Sequence, residues 1–121
     1  MAAMPKALPV IDTTAPVCCS PIAGGVVNAD DALAIAVRLK ALADPVRVQL
    51  MSILLAQADS GVCTCDLAPA VGLSEATVSH HLKQLREAGL VEGTRKGTNV
   101  YYRPDATALA ALCRIIDPNC C

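Results

Sequence analysis

The spacing of apolar residues along the chain predicts a mainly helical domain with one short hairpin. In the longer segments apolar residues recur at intervals of three and four, which places them on one face of an amphipathic helix. Two short segments on either side of Lys96-Gly97-Thr98 are typical of strands joined by a tight turn. The predicted elements, in chain order, are helices at 30–43, 46–57, 65–71 and 75–88, strands at 90–95 and 99–103, and a last helix at 105–117.

Residues with special backbone preferences mark where these helices begin and end. Asp44 can accept hydrogen bonds from the free N–H groups at a helix start, and Pro45 suits the first helical position. Ser74 is expected to cap the helix at 75–88, and Gly89 is expected to end it.

The same periodicity predicts which side of each helix faces the core. In the first helix, Arg38 and Lys40 interrupt the apolar face. The residues expected on apolar faces are Val78, Leu82 and Leu85 in the helix at 75–88, Leu33, Val37 and Leu42 in the first helix, and Leu109, Leu112, Cys113 and Ile116 in the last.

The order of elements predicts a winged helix-turn-helix, a fold class that is mainly α with a β-hairpin wing. The alternative is a small helical domain whose polar helix face is merely solvated, but the capped helix and the basic-tipped hairpin favour DNA binding. Short and polar side chains on the helix and hairpin can reach bases or phosphates of double-stranded operator DNA. The residues expected to do so are Ser74, Thr77, Ser79, His80, Lys83, Gln84, Arg95 and Lys96.

Charge and size narrow this picture. The net charge is −1, but the segment 74–103 carries five positive residues against three negative, which is the sign that phosphate binding needs. With 121 residues, 54% of them apolar and none of them Phe or Trp, the chain forms one domain with a small core. Burial of part of its surface in a homodimer would add stability.

We expect a flexible cysteine-bearing arm at 1–28, a DNA-binding and dimerisation domain at 29–118, and a short tail at 119–121. The N-terminus does not resemble a signal peptide, and no run of 18 uncharged apolar residues could span a membrane. A cytoplasmic protein is therefore expected, with no membrane partner, in a compartment that keeps thiols reduced.

The seven cysteines suggest a site for a soft ion. Cys63 and Cys65 flank one residue at the start of the short helix, where the helix dipole favours a negatively charged sulfur. Two thiolates are too few for trivalent arsenic or for cadmium, lead or zinc, which take three or four. The vicinal pair Cys18 and Cys19 on the arm can supply the rest, so the predicted metal ligands are Cys18, Cys19, Cys63 and Cys65.

Other interpretations of these residues stay open. Cys63 and Cys65 could be small buried residues or a redox pair, and Cys113 on its apolar stripe is expected to pack as a small hydrophobe. The role of Cys120 and Cys121 is undetermined.

His80 and His81 point about 100° apart on a helix and rarely share one ion. His80 is therefore expected to face DNA, and His81 to lie at the flank of the buried stripe.

The sequence resembles the ArsR/SmtB family of metal-sensing repressors. The resemblance rests on "LKALADPVRVQLMSIL" at 39–54, "GVCTCDLAPAVGLSEATVSHHLKQLREAGLV" at 61–91 and "RKGTNVYYR" at 95–103. It implies a homodimer paired through the first and last helices, and a repressor whose hold on DNA weakens when metal binds. Cys63 and Cys65 fall on the family's metal motif at the start of the short helix.

Two departures from the family pattern bear on the ion. Arsenic sensors with all ligands in the short helix carry a third cysteine three residues after the second, and this position is Ala68 here. The arm sequence "VCCSP" is similar to that of sensors whose N-terminal cysteines complete the site. The last helix contains no His, which argues against the zinc site that some relatives hold there.

The sequence therefore predicts a repressor released by As(III), with Sb(III) as a second inducer and with no organic cofactor. A Cd(II)- or Pb(II)-responsive repressor of the same fold is the alternative. A thiol redox enzyme is a remote alternative, and it is not expected, since a CxxC pair, a Cys-x5-Arg anion loop and a Gly-rich phosphate loop are all missing from the sequence.

Overall fold

The computed structural model describes residues 25–57 and 59–116. Cys18, Cys19, Cys120 and Cys121 lie outside this part of the chain. Every predicted helix and strand is present within about two residues of its expected bounds. The elements are α1 (Ala29–Leu42), α2 (Pro45–Ala56), β1 (Val62–Cys63), α3 (Thr64–Val71), α4 (Glu75–Glu87), β2 (Val91–Lys96), β3 (Asn99–Pro104) and α5 (Ala106–Ile116).

The predicted caps are confirmed. The Asp44 carboxylate accepts the backbone N–H groups of Val46 at 2.9 Å and Arg47 at 3.2 Å, and Pro45 is the first residue of α2. The hydroxyl of Ser74 accepts the backbone N–H of Thr77 at 3.2 Å. These bonds replace the partners that the first N–H groups of a helix lack.

A third strand, which the sequence pattern did not predict, completes the sheet. The two residues of β1 pair antiparallel with β3, Val62 opposite Tyr102 and Cys63 opposite Tyr101, and the strand order is β1-β3-β2. A strand this short has no periodicity of its own. Its extended backbone is held by β3, about 40 residues later in the chain.

The core lies between the helices and this sheet. Val78, Leu82 and Leu85 of α4 are fully buried, as predicted. α4 packs against α3, α2, α1 and β2, so the helix expected to read DNA is held from several sides. Among the described residues, no helix is long and apolar enough to cross a membrane.

Two predicted helix faces were wrong in part. In α1 the buried residues are Ile35, Arg38 and Ala41, while the predicted Leu33, Val37 and Leu42 are half-buried. Arg38 is 2% exposed, and one of its terminal nitrogens donates to the carbonyl of Ala34 at 2.8 Å. Its aliphatic stem can pack like an apolar side chain, which periodicity alone does not show.

In α5 the buried residues are Ala111, Leu112 and Ile115, whereas Ile116 is 56% exposed. Cys113 is half-buried rather than fully packed in the core, and its sulfur is not free. The apolar residues of α5 are more numerous than its core contacts can cover, so spacing could not decide which of them remain at the surface.

Candidate metal and nucleic-acid sites

Two cysteine side chains meet where β1 becomes α3. Cys63 ends β1 with extended backbone angles and occupies the N-cap position of α3, and Cys65 lies in the first turn of that helix. Their sulfur atoms are joined in a disulfide, with the Cα atoms 5.2 Å apart. The two side chains therefore converge on one point, as a shared ion would require. Because a disulfide uses the same sulfur atoms, ion binding there requires the reduced pair.

Asp66 adds an oxygen atom to this site, and sequence reasoning missed it. Its Oδ2 lies 3.6 Å from Sγ of Cys63. One ligand atom from each of Cys63, Cys65 and Asp66 lies within 4.8 Å of the others. The signal was present in the sequence, since a residue three positions after an N-cap lies on the first helical turn beside it.

The exposure of the three residues differs. The Cys63 side chain is 1% exposed and is fixed by strand pairing, whereas Cys65 and Asp66 are exposed. An ion would therefore reach the site from the solvent side, and further ligands from another segment could approach from the same side. Two sulfurs and one carboxylate do not satisfy an ion that requires three thiolates.

Most of the predicted DNA-contacting residues form an exposed surface on α4 and the wing, whereas Gln84 and Ser74 differ in burial or in hydrogen bonding. Gln84 is half-buried, and Ser74 uses its hydroxyl locally, because it donates to Oγ1 of Thr77 at 2.9 Å and accepts that residue's backbone N–H. Thr77 is exposed, although its hydroxyl oxygen accepts from Ser74. The predicted residues that are exposed on α4 and the wing are Thr77, Ser79, His80, Lys83, Arg95 and Lys96.

The wing carries its two basic residues, Arg95 and Lys96, at the end of β2, directly before a two-residue turn. Lys96 pairs with Asn99, and Gly97 between them has φ +65°, a left-handed conformation that glycine adopts without strain. The ammonium of Lys96 lies 5.5 Å from the centre of the Tyr101 ring, which is a cation–π distance. This contact orients the cation at the tip.

His81 lies at the flank of the buried stripe, as predicted, and has a partner on another helix. Nε of Arg47 donates to Nδ1 of His81 at 3.2 Å. The same guanidinium donates through a terminal nitrogen to the carbonyl of Ala41 at 3.3 Å. Sequence reasoning did not single out Arg47.

Comparison with known proteins gives a consistent set of relatives. A family model described as bacterial regulatory protein, arsR family, matches residues 44–93, the segment from the α2 cap into β2. A transcriptional repressor SmtB homolog of Synechocystis sp. is 48% identical over 77 residues, which cover 64% of this chain and 56% of the relative. The chain thus spans little more than half the length of that relative.

Two further relatives cover more of both chains. ArsR2 of Halobacterium salinarum, named for repression of an arsenical resistance operon, is 39% identical over 74% of this chain and 73% of its own. The solution structure of a homodimeric winged helix-turn-helix DNA-binding domain from Mycobacterium bovis is 34% identical. The match covers 73% of this chain and 81% of the M. bovis chain, with a TM-score of 0.59.

Proposed function

Because the chain belongs to the bacterial arsR family of regulatory proteins, we propose that it is a transcriptional repressor released from operator DNA by As(III). Sb(III), which shares the valence and the preference for sulfur, is the second expected inducer. The observation that carries the proposal is the convergence of Cys63 and Cys65 at the start of α3, a helix that packs directly on α4.

The surface of α4 and the wing supports DNA binding. α4 presents Thr77, Ser79, His80 and Lys83 to solvent, while its opposite side is buried in the core. A helix of this kind fits the major groove, and the basic wing tip can lie on the backbone or in the minor groove. The homodimeric DNA-binding domain from M. bovis has the same architecture.

We propose a homodimer in which two α4 helices read half-sites about one helical turn apart. Large apolar side chains remain exposed on the helices that the family resemblance assigns to the dimer contact. Leu39 of α1 is 36% exposed and Ile116 of α5 is 56% exposed. Pairing of these surfaces would bury them.

The arm cysteines complete the ion site in this proposal. Cys63 and Cys65 supply two thiolates, and As(III) requires a third. Cys18 and Cys19 lie outside the described residues and are proposed as its source, either within one subunit or across the dimer. Capture of the ion would then connect the arm to the base of the helix-turn-helix.

Ion and DNA must oppose each other for the switch to work. The ion has to bind the DNA-free state more tightly, by a coupling of about 1–3 kcal/mol or roughly 5- to 150-fold in affinity. Because α3 packs against α4, a displacement of α3 on ion binding would change how α4 is held. The ion site and the proposed DNA-reading helix are coupled through this contact. We place this regulator in the cytoplasm, where its operator lies and thiols stay reduced.

The Asp66 carboxylate favours a second candidate, a repressor responsive to Cd(II) or Pb(II). A carboxylate oxygen 3.6 Å from the Cys63 sulfur suits a divalent ion better than a trivalent arsenic atom bound by thiolates alone. In this case Cys18, Cys19, Cys63 and Cys65 would all bind the ion.

Fluorescence anisotropy of a labelled operator duplex, titrated with arsenite, tests the first candidate. The chain is kept reduced with a phosphine, because dithiols themselves bind arsenite. We expect release by the wild type and no release by Cys63→Ser or Cys65→Ser, whereas the matched control Thr64→Ala retains it. A wild-type complex that persists at saturating arsenite would rule out this inducer.

Ultraviolet titration separates the two candidates. Cadmium bound by four thiolates gives a strong sulfur-to-metal band, and its intensity reports the number of sulfurs. A strong band that is lost in Cys18→Ser and Cys65→Ser alike, together with no arsenite response, would favour the divalent ion.

A further inference from the structure

One guanidinium group connects three helices. Arg47 lies in the first turn of α2, where its own backbone N–H is bonded to the Asp44 cap at 3.2 Å. Its side chain reaches the carbonyl of Ala41 at the end of α1 and Nδ1 of His81 in the middle of α4, 34 residues away in sequence. The end of α1, the start of α2 and the DNA-reading helix are therefore tied at one point.

The bond to Ala41 has a local cause. In a continuing helix the carbonyl of Ala41 would accept the N–H of residue 45. That residue is Pro45, which has no N–H to donate. The Arg47 guanidinium supplies the missing donor, and this bond fixes where the side chain lies. Its Nε is then free to donate towards α4.

The bond to His81 is a side-chain contact between α2 and α4. Arginine only donates, so Nδ1 of His81 is the acceptor in this bond. Nitrogen–oxygen and nitrogen–nitrogen hydrogen bonds are directional, and they weaken steeply when the donor and acceptor turn away from each other.

This direction matters for α4. The buried stripe of Val78, Leu82 and Leu85 decides which side of α4 faces the core, and the Arg47 bond adds a directional contact that sets the rotation of the helix within this packing. His81 lies one position, or about 100°, from His80. Rotation that broke the Arg47 bond would turn His80 and Thr77 away from the groove by the same angle.

We propose that Arg47 and His81 are positioning residues for DNA recognition, setting the rotation of α4 and thereby its base contacts. The proposal rests on the proposed function, since it needs a DNA-binding α4. Arg47 acts through His81 and is not itself placed among the DNA contacts. Loss of the bond should lower binding to the cognate sequence more than binding to unrelated DNA, because phosphate contacts carry little sequence information.

The test compares two duplexes of equal length at one salt concentration. One is the duplex that the reduced, metal-free wild type selects from a random pool, and the other has the same bases scrambled. We expect His81→Leu to weaken binding to the selected duplex by about tenfold and to the scrambled duplex by less than about twofold. A change that merely lowered the folded fraction would weaken both by the same factor.

Conservative variants separate the hydrogen bond from packing. The amide oxygen of His81→Asn can replace Nδ1 as acceptor, whereas His81→Gln places its oxygen one bond further out. We expect the Asn variant to bind the selected duplex within about threefold of wild type and the Gln variant to resemble Leu. If His81→Leu fails to fold, the contrast between Asn and Gln decides, and equal affinities of these two would overturn the proposal.

A double-mutant cycle tests whether Arg47 acts through His81. The variant Arg47→Met/His81→Leu should bind the selected duplex no more than about twofold more weakly than the worse single variant. Gln49→Ala, an exposed substitution on α2, is the control, and its effect should multiply with that of His81→Leu. Independent effects of Arg47 and His81 would overturn the proposal.

The outcomes also separate this proposal from the one it rests on. If the wild type selects no duplex from the pool, the proposed function fails and the positioning role fails with it. If the wild type selects a duplex that arsenite releases, but His81→Leu keeps full preference for it, only the positioning role is overturned.

Discussion

Asp44 does two things with one carboxylate. It caps α2 through the backbone N–H groups of Val46 and Arg47, and its negative charge lies near the Arg47–His81 contact. The bond from the Arg47 backbone is the main reason that the pKa of the Asp44 carboxyl lies below its ordinary value of 3.8, and the backbone N–H of Val46 and the nearby charge of Arg47 act in the same direction. The folded state thus favours the ionised form.

Asp44→Asn should therefore change how stability depends on pH. A carboxyl whose pKa is lowered on folding contributes its full stability above the unfolded pKa and loses it as pH falls through the folded pKa. The amide keeps a cap but has no charge to lose. We expect urea midpoints of the wild type to exceed those of the variant near neutral pH and to converge below pH 3.8.

The control is the same comparison in high salt, which screens the charges but not the cap. A difference between wild type and variant that stayed constant from neutral pH to well below 3.8 would show that the Asp44 charge is not involved.

At the scale of elements, α3 carries residues of the proposed ion site but is a short helix with an interrupted set of backbone hydrogen bonds. It has eight residues, and Pro69 lies inside it. The missing N–H of Pro69 leaves the carbonyl of Cys65 without its intrahelical partner. The helix still ends regularly at Gly72, which has φ +71° and donates to the Pro69 carbonyl. The turn that carries Cys65 and Asp66 is consequently held by fewer backbone bonds than the rest of the helix.

Pro69→Ala should restore this bond. Proline inside a helix costs about 3 kcal/mol relative to alanine, so we expect the free energy of unfolding to rise by about 1 kcal/mol or more. Urea denaturation of the metal-free, reduced chain measures the change. Ala70→Pro, one position later, is the matched control and should destabilise the chain. A Pro69→Ala variant that is less stable than wild type would contradict this view of α3.

At the scale of the whole molecule, the proposed switch connects parts that are far apart in sequence. In the proposal the arm cysteines, the α3 site and α4 have to act together, whereas the residues proposed to contact DNA lie on α4, at its cap and on the wing. DNA binding and ion response should therefore be separable by removing the arm.

A chain without residues 1–24 should bind the selected operator with wild-type affinity, because its α1 cap at Asn28 and all of α4 are intact. It should no longer be released by arsenite, since two thiolates do not complete the site. Anisotropy titrations measure both properties, and light scattering checks that the oligomeric state is unchanged. The full-length double variant Cys18→Ser/Cys19→Ser is the control for the loss of sulfur alone. Release of the truncated chain at the wild-type arsenite dose would contradict the role given to the arm.

The sequence by itself determined the features that depend on neighbouring residues. Asp44 and Ser74 cap helices because their oxygen atoms reach N–H groups two or three residues ahead, and this reach is independent of the rest of the fold. The stripe of Val78, Leu82 and Leu85 followed from helical spacing in the same way. The exposed surface of α4 was therefore predictable, and the cysteine motif could be located although its ligand role stays a prediction.

Only the tertiary structure decided what depends on contacts between distant segments. Cys63 has its buried, extended position because it pairs with Tyr101 on β3. Arg38 is buried by the packing of α1, although a charged residue in the sequence predicts exposure to solvent. The Arg47–His81 bond joins two helices whose relative placement no local pattern contains. Spacing and capping act over a few residues, whereas these contacts are selected by the shape of the assembled core. Sequence reasoning therefore placed the helices and the hairpin but missed β1 and the bonds between distant elements.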